Sequence, residues 1–216
     1  MLLAIDTSTQ LAGLALYDGE VRAELTWVAG RRHSAELFPE MERLLKLTGL
    51  EVGALRAIAA ARGPGSFTGV RVGLAAAQGL SLALDVPAYG VCTLDALAAS
   101  QEASALPLRP LLEAGRNRFA TALYERCDGR IERSGDIIAI ELGDLAELVD
   151  RPCLICGDLN AASRDRLRAM LGERAVVASA AASLRRPGFL AQLGWEQYSR
   201  GAPGHPTALE PLYLAR

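Results

Sequence analysis

The residues best equipped for chemistry fall in two short segments. Arg62-Gly63-Pro64-Gly65-Ser66-Phe67-Thr68-Gly69 is a glycine-rich turn set between a short apolar run and a long helical pattern. Such a turn can aim bare N–H groups at an anion. Chemistry alone favours a structural turn over that cradle, with Gly63 and Gly65 supplying unusual backbone angles and Ser66 or Thr68 capping the helix. A serine nucleophile at Ser66 fits least, because G-x-S-x-G requires glycine where Pro64 and Thr68 stand. The second segment, Asp6-Thr7-Ser8-Thr9, places one carboxylate and three hydroxyls at the end of the first apolar run. Asp6 and Ser8, with Gly63, Gly65 and Ser66, are therefore the candidate anion or nucleotide site.

Other chemistries are excluded by what they would need. Lys46 is the single lysine among 23 basic residues, and no G-K-[ST] tripeptide exists, so a P-loop is out. The two histidines, His33 and His205, are far apart, and neither H-E-x-x-H nor any paired-histidine helix face can chelate zinc. Cys153 and Cys156 form one C-x-x-C in the apolar run between Pro152 and Gly157. On a strand, residues three apart point to opposite faces, so these thiols are expected to be buried and structural. Neither a metal nor a cofactor is expected. The four cysteines follow no basic-then-apolar leader, which points to the reducing cytoplasm. With 25 acidic residues and a net charge of −2, the chain has no cations to spare for displacing counterions from phosphates. Any binding of RNA must be shared with a partner.

These segments must be positioned by regular structure, and at 50% hydrophobic and 22% charged the 216-residue chain can bury a real core. Apolar runs Leu2–Ile5, Leu11–Tyr17 and Val21–Val28 read as a three-stranded meander. A helix from about Ser34 to Leu47, a strand Ala57–Ala61, a helix from about Ser66 to Leu84 and a strand Val86–Val91 follow, with a helical stretch near Leu94–Ser104. The order βββαβαβ is that of the ribonuclease-H-like core shared by actin and sugar kinases. A thinner second copy begins at Leu108, with strands near Phe119–Glu125, Gly129–Arg133 and Cys153–Cys156 and a helix at Ala161–Leu171. From Gly201 the chain reads as a loop. The expected fold is α/β, two tandem ribonuclease-H-like (actin-like ATPase) lobes over residues 1–105 and 106–216, the second reduced. A two-metal nuclease would need a further carboxylate near the end of the fourth strand, where Ala61-Arg62 stands. An actin-like kinase or ATPase with its own nucleotide site remains the alternative.

Four segments together resemble the TsaB family, also called YeaZ: Asp6-Thr7-Ser8-Thr9, the run from Arg32 to Pro39, GPGSFTGVRVG from Gly63 to Gly73, and the closing Pro211-Leu212-Tyr213-Leu214. The turn Glu113-Ala114-Gly115-Arg116 departs from the Asp-Ala-Arg of the family pattern. The resemblance implies a non-catalytic, cytoplasmic partner of the transferase TsaD in tRNA threonylcarbamoyladenosine synthesis, joined by the P-loop ATPase TsaE. It implies a homodimer when TsaD is absent, and tRNA contact only within the complex. TsaD carries two metal-binding histidines four residues apart after the strand that follows the shared turn. Matching that segment onto this chain puts Thr93 and Leu97 there, and neither replaces an imidazole. His33 reads as a hydrogen-bonding residue at the entry of a helix.

The long helix suggests where such a partner docks. Arg71 is its one charge between Ser66 and Leu84, so it lacks the polar outer face of a surface helix and needs burial on two sides. Its apolar run from Val72 is too short to span a membrane. Gly69, Gly73, Ala76 and Leu80 share one stripe, and Leu37, Met41, Leu44 and Leu45 supply a matching one on the preceding helix. These eight residues are the expected partner interface. The competing reading packs both helices only on each other and on the sheet.

Overall fold

The computed structural model describes residues 1–115 and 117–214. It divides into two units, Met1–Ala96 with Arg186–Tyr213, and Leu97–Arg185 with Leu214.

In the first unit β1 (Leu2–Asp6), β2 (Leu11–Tyr17) and β3 (Val21–Val28) form the meander, and β4 (Ala57–Ala61) and β5 (Ala88–Val91) complete a sheet ordered β3-β2-β1-β4-β5. β1 pairs antiparallel with β2 and parallel with β4. Because side chains alternate along a strand, residue parity decides which layer each one enters. Leu3, Ile5, Leu14, Leu16, Ile58 and Ala60 face α1 (His33–Thr48) and α2 (Phe67–Leu84). Leu2, Ala4, Ala15, Ala57, Ala59 and Ala61 face the opposite way. That second face is narrow because a helix lies close on it: a Cβ on Gly194 would sit 2.4 Å from Cβ of Ala59. The run of alanines in β4 is thus a seat for a helix.

That helix, α6 (Pro187–Ser199), is an element the sequence reading lacks, and it corrects the expected boundary. It belongs with the first sheet, whereas a cut at 105/106 assigns it to the second lobe. Leu190 and Ala191 are fully buried on the sheet, and Leu193, Trp195 and Tyr198 pack around them. Glu24 on β3 anchors its start, one carboxylate oxygen accepting the Gly188 N–H at 3.1 Å and the other meeting Arg186 Nε at 2.6 Å. After it the chain runs as the expected loop with one 3₁₀ turn, Pro206–Ala208. This strap crosses β5 and α2: the Ala88 N–H donates to Gly204 O, and Gln78 Nε2 donates to the carbonyls of Pro206 and Leu209. α2 has the length and composition of a minimal membrane span, and its inner side, with Gly69, Val70, Gly73, Leu74 and Ala77, is buried.

The second unit repeats the plan. β6 (Leu108–Glu113), β7 (Arg118–Cys127), β8 (Arg130–Glu141), β9 (Cys153–Gly157) and β10 (Ala175–Val177) are ordered β10-β9-β6-β7-β8, the first sheet's order strand for strand. Asp128 and Gly129, both at positive φ, make the β7–β8 turn. Reduction is visible where the one-turn α4 (Leu145–Leu148) stands in the place of the 16-residue α1. Leu111, Ile155, Leu145 and Val149 pack with Leu167 and Leu171 of α5 (Ala161–Leu171) on one sheet face. The helical stretch expected to reach Ser104 is shorter, α3 (Thr93–Ala99).

Candidate functional site

The end of β1 and the turn after β4 meet, and all four residues from Asp6 to Thr9 are buried. Parallel pairing of β1 with β4 delivers both segments to the same end of the sheet. Asp6 Oδ1 accepts the Ser8 N–H at 2.9 Å and the Ser8 hydroxyl at 2.5 Å. The Thr7 hydroxyl donates to Gly69 O at 2.7 Å, tying β1 to the first turn of α2. His33, buried at the start of α1, has Nε2 2.7 Å from Thr9 O, in keeping with a helix-entry hydrogen bond.

The glycine-rich turn is built around the same strand end. Ser66 N–H donates to Ser8 O at 2.6 Å, and a Cβ on Gly65 would lie 2.1 Å from that oxygen. Gly63 adopts φ +95°, and its carbonyl accepts the Thr93 N–H. Ser66 caps α2, its hydroxyl accepting the Gly69 N–H at 3.2 Å. Asp6, Ser8, Gly65 and Ser66 are therefore brought together, with Gly63 beside them. The amides of Ser8 and Ser66 are directed into this junction, so the turn has the features of the structural reading. Thr93 and Leu97 are fully buried, and the Thr93 hydroxyl has no hydrogen-bond partner among the described residues.

The outer side of α1 and α2 presents a different surface. Between the helices lies an apolar groove of about 550 Å³, lined by Leu37, Phe38, Val72, Ala76, Gly79 and Leu80 among others. Phe38 is 48% exposed and Leu82 68%. The expected interface set is here corrected in part. A Cβ on Gly69 would lie 2.1 Å from Thr7 O, and one on Gly73 2.4 Å from Thr7 Oγ1, so both glycines face their own β1. Their small size admits a strand and leaves no groove for a partner. Leu44 and Leu45 are core residues, and Met41 is half-buried against that core. Leu37, Ala76 and Leu80 do line the groove. Its open side runs along Val72, Ala75 and Gly79, one helical step of about 100° away from the glycine stripe.

Elsewhere the outcomes are mixed. Cys153 and Cys156 are both buried, and burial pushes the Cys156 thiol up to about 12 and raises that of Cys153. No cluster of three metal-ligating side chains occurs among the described residues. Of the Glu113–Arg116 turn, Gly115 sits at φ +76° and its carbonyl accepts the Arg118 N–H, while Arg116 lies outside the described residues. Arg71, the single charge of α2, lies 3.8 Å over the Phe67 ring and donates from Nε to the Tyr213 hydroxyl, pinning the end of the strap. Sequence reasoning missed that contact because its members are 142 residues apart.

Comparison with known proteins agrees with this architecture. Residues 27–154 match the family model described as TsaD, tRNA N6-adenosine threonylcarbamoyltransferase. The tRNA threonylcarbamoyladenosine biosynthesis protein TsaB of Bacillus subtilis is 33% identical over 99% of this chain and 93% of its own length. TsaB of Escherichia coli is 42% identical over 98 residues, 45% of this chain and 42% of its own. YeaZ from Pseudomonas aeruginosa superposes with a TM-score of 0.80 at 27% identity, covering 99% of both chains. A solved structure of the ethanolamine utilization protein EutJ from Carboxydothermus hydrogenoformans, at 14% identity and a TM-score of 0.50, shares the fold alone. With both lobes, the junction of β1 with the glycine-rich turn and the closing strap accounted for over nearly its full length, the chain belongs to the TsaB (YeaZ) family of tRNA threonylcarbamoyladenosine biosynthesis proteins.

Proposed function

We propose that this chain is a non-catalytic subunit that holds the TsaD transferase through the α1–α2 face during threonylcarbamoylation of tRNA. The carrying observation is the apolar groove with Phe38 and Leu82 exposed beside it, a surface that burial against a partner would stabilise. TsaE joins through the complex, tRNA is met only there, and in the absence of TsaD the same face pairs two copies of the chain in the cytoplasm. Thr93 and Leu97 in place of two imidazoles support assigning the chemistry to the partner. An actin-like ATPase is less well supported, because the Ser8 and Ser66 amides serve the junction itself.

Co-expression with the TsaD of the same organism tests the proposal. TsaD should co-purify with the wild-type chain and be lost with Phe38→Asp and with Gly79→Arg, whose circular dichroism stays native because neither site is in the core. Undiminished co-purification by both folded variants, or none by the wild type, would overturn it. Calorimetry with ATP and magnesium addresses the alternative, which a saturable signal from the isolated chain would favour.

A further inference from the structure

We propose that the cleft between β5 and the C-terminal strap binds a small oxyanion, a phosphate or a carboxylate, through the guanidinium of Arg62. The cleft measures about 180 Å³, below the range of about 300–1,000 Å³ usual for drug-sized ligands, and its walls include Arg62, Tyr89, Gln197, His205 and Glu210. Everything around Arg62 fixes its place. Its N–H donates to Val91 O, and its carbonyl accepts the Leu212 N–H at 2.6 Å, so strand and strap both hold the backbone.

The side chain is then laid over Gly90. A Cβ at that glycine would come within 3.2 Å of Arg62 Cδ and 3.4 Å of Leu209 Cδ2. Gly90 is not among the positive-φ glycines, so it is the arginine stem rather than the backbone that benefits from the missing side chain. The guanidinium delivered this way makes no hydrogen bond or ion pair with any described residue, and its Nε is buried and unpartnered. A buried charged donor without an acceptor is costly, and a cleft beside it supplies room for one. Gln197 and His205 add uncommitted donors to the walls. Glu210, exposed at the rim, is the one carboxylate among the lining residues, and its repulsion disfavours polyphosphates while tolerating a compact anion.

The strap supplies Pro203, His205 and Ala208 to Glu210 of the walls. The test uses the full chain, titrated calorimetrically with inorganic phosphate and, separately, with acetate, each against chloride at matched ionic strength. At least one should bind saturably, and which one does identifies the anion as phosphate or carboxylate. Arg62→Met should weaken binding about tenfold or more, the loss expected for a hydrogen bond to a charged group. If that variant is unfolded by circular dichroism, Gly90→Ala, which keeps the charge and displaces the stem, decides instead by the same loss. No saturable binding of either probe to the folded wild type, or unchanged affinity in the deciding variant, would overturn the assignment.

Discussion

Replacing Gly73 by alanine and, separately, Gly79 by alanine should move stability in opposite directions. Both lie inside α2, where alanine is favoured over glycine by about 0.8–1 kcal/mol through helix propensity alone. At Gly79 a new Cβ meets nothing within 4 Å, so that gain should appear undiminished. At Gly73 the same methyl lies 2.4 Å from Thr7 Oγ1, well inside contact distance, with Ile5 Cγ2 at 3.6 Å behind it. Thr7 must then swing away or α2 must lift. Swinging away breaks the hydroxyl's bond to Gly69 O and strands a buried polar group, about 1–3 kcal/mol. Lifting the helix strains a packed core, also about 1–3 kcal/mol. Subtracting the propensity gain leaves Gly73→Ala destabilised by up to about 2 kcal/mol if one response suffices, and by more if both are needed. For a chain of this size each kcal/mol shifts the melting temperature by about 2–4 °C, so the two variants should separate by several degrees on either side of wild type. Thermal unfolding followed by circular dichroism reads this directly. If Gly73→Ala melts at or above wild type, the glycine stripe does not face β1 and the partner-facing reading of that stripe returns.

Two further outcomes follow from the second unit. Arg185 Nη1 lies 2.9 and 3.2 Å from the two carboxylate oxygens of Asp158, with the arginine side chain only 4% exposed, so Asp158→Ala should cost about 3–5 kcal/mol in urea unfolding, and a loss under about 1 kcal/mol would contradict it. Cys156, its thiol raised by burial from 9.0 to about 12, should resist maleimide in the folded chain at pH 8 while exposed Cys127 reacts; because the unfolded thiol ionises first, this residue's contribution to stability is complete below pH 9 and is lost as pH climbs toward 12, at about 1.4 kcal/mol per unit.

Local rules reached most of the architecture because β1, β2 and β4 carry their parity in residue type. Leu3, Ile5 and Ile58 face the layer of two helices, while Ala4, Ala57 and Ala59 face the closely seated one. What that alternation could not reveal was which helix takes the second face, since α6 arrives more than 120 residues after β4. Its apolar residues surround the helix rather than forming one stripe, which weakens the periodic signal. The error on α2 has a different origin. A stripe of small residues shows that something approaches closely, but β1 and a partner helix ask for the same glycines, and only the three-dimensional contacts separate them. Gly90 was illegible for the same reason, its neighbour Arg62 lying on another strand's exit.

The glycine-rich turn itself is explained by a constraint that appears twice. In the first lobe the Ser66 N–H donates to Ser8 O, and a Cβ on the preceding Gly65 would strike that same oxygen at 2.1 Å. In the second lobe the Asp158 N–H donates to Leu111 O, and a Cβ on the preceding Gly157 would strike it at 2.0 Å. Each lobe thus needs glycine immediately before an amide that closes the exit of its central parallel strand onto the first strand. The two sites share no ligand-like side chains, since one is followed by Ser66 and the other by an aspartate paired with Arg185. A feature common to both is best assigned to what both share, which is the packing of that strand exit. The glycine that resembles a phosphate loop in the sequence is required in this fold even with no phosphate to bind, and the direction of the following N–H distinguishes the two cases.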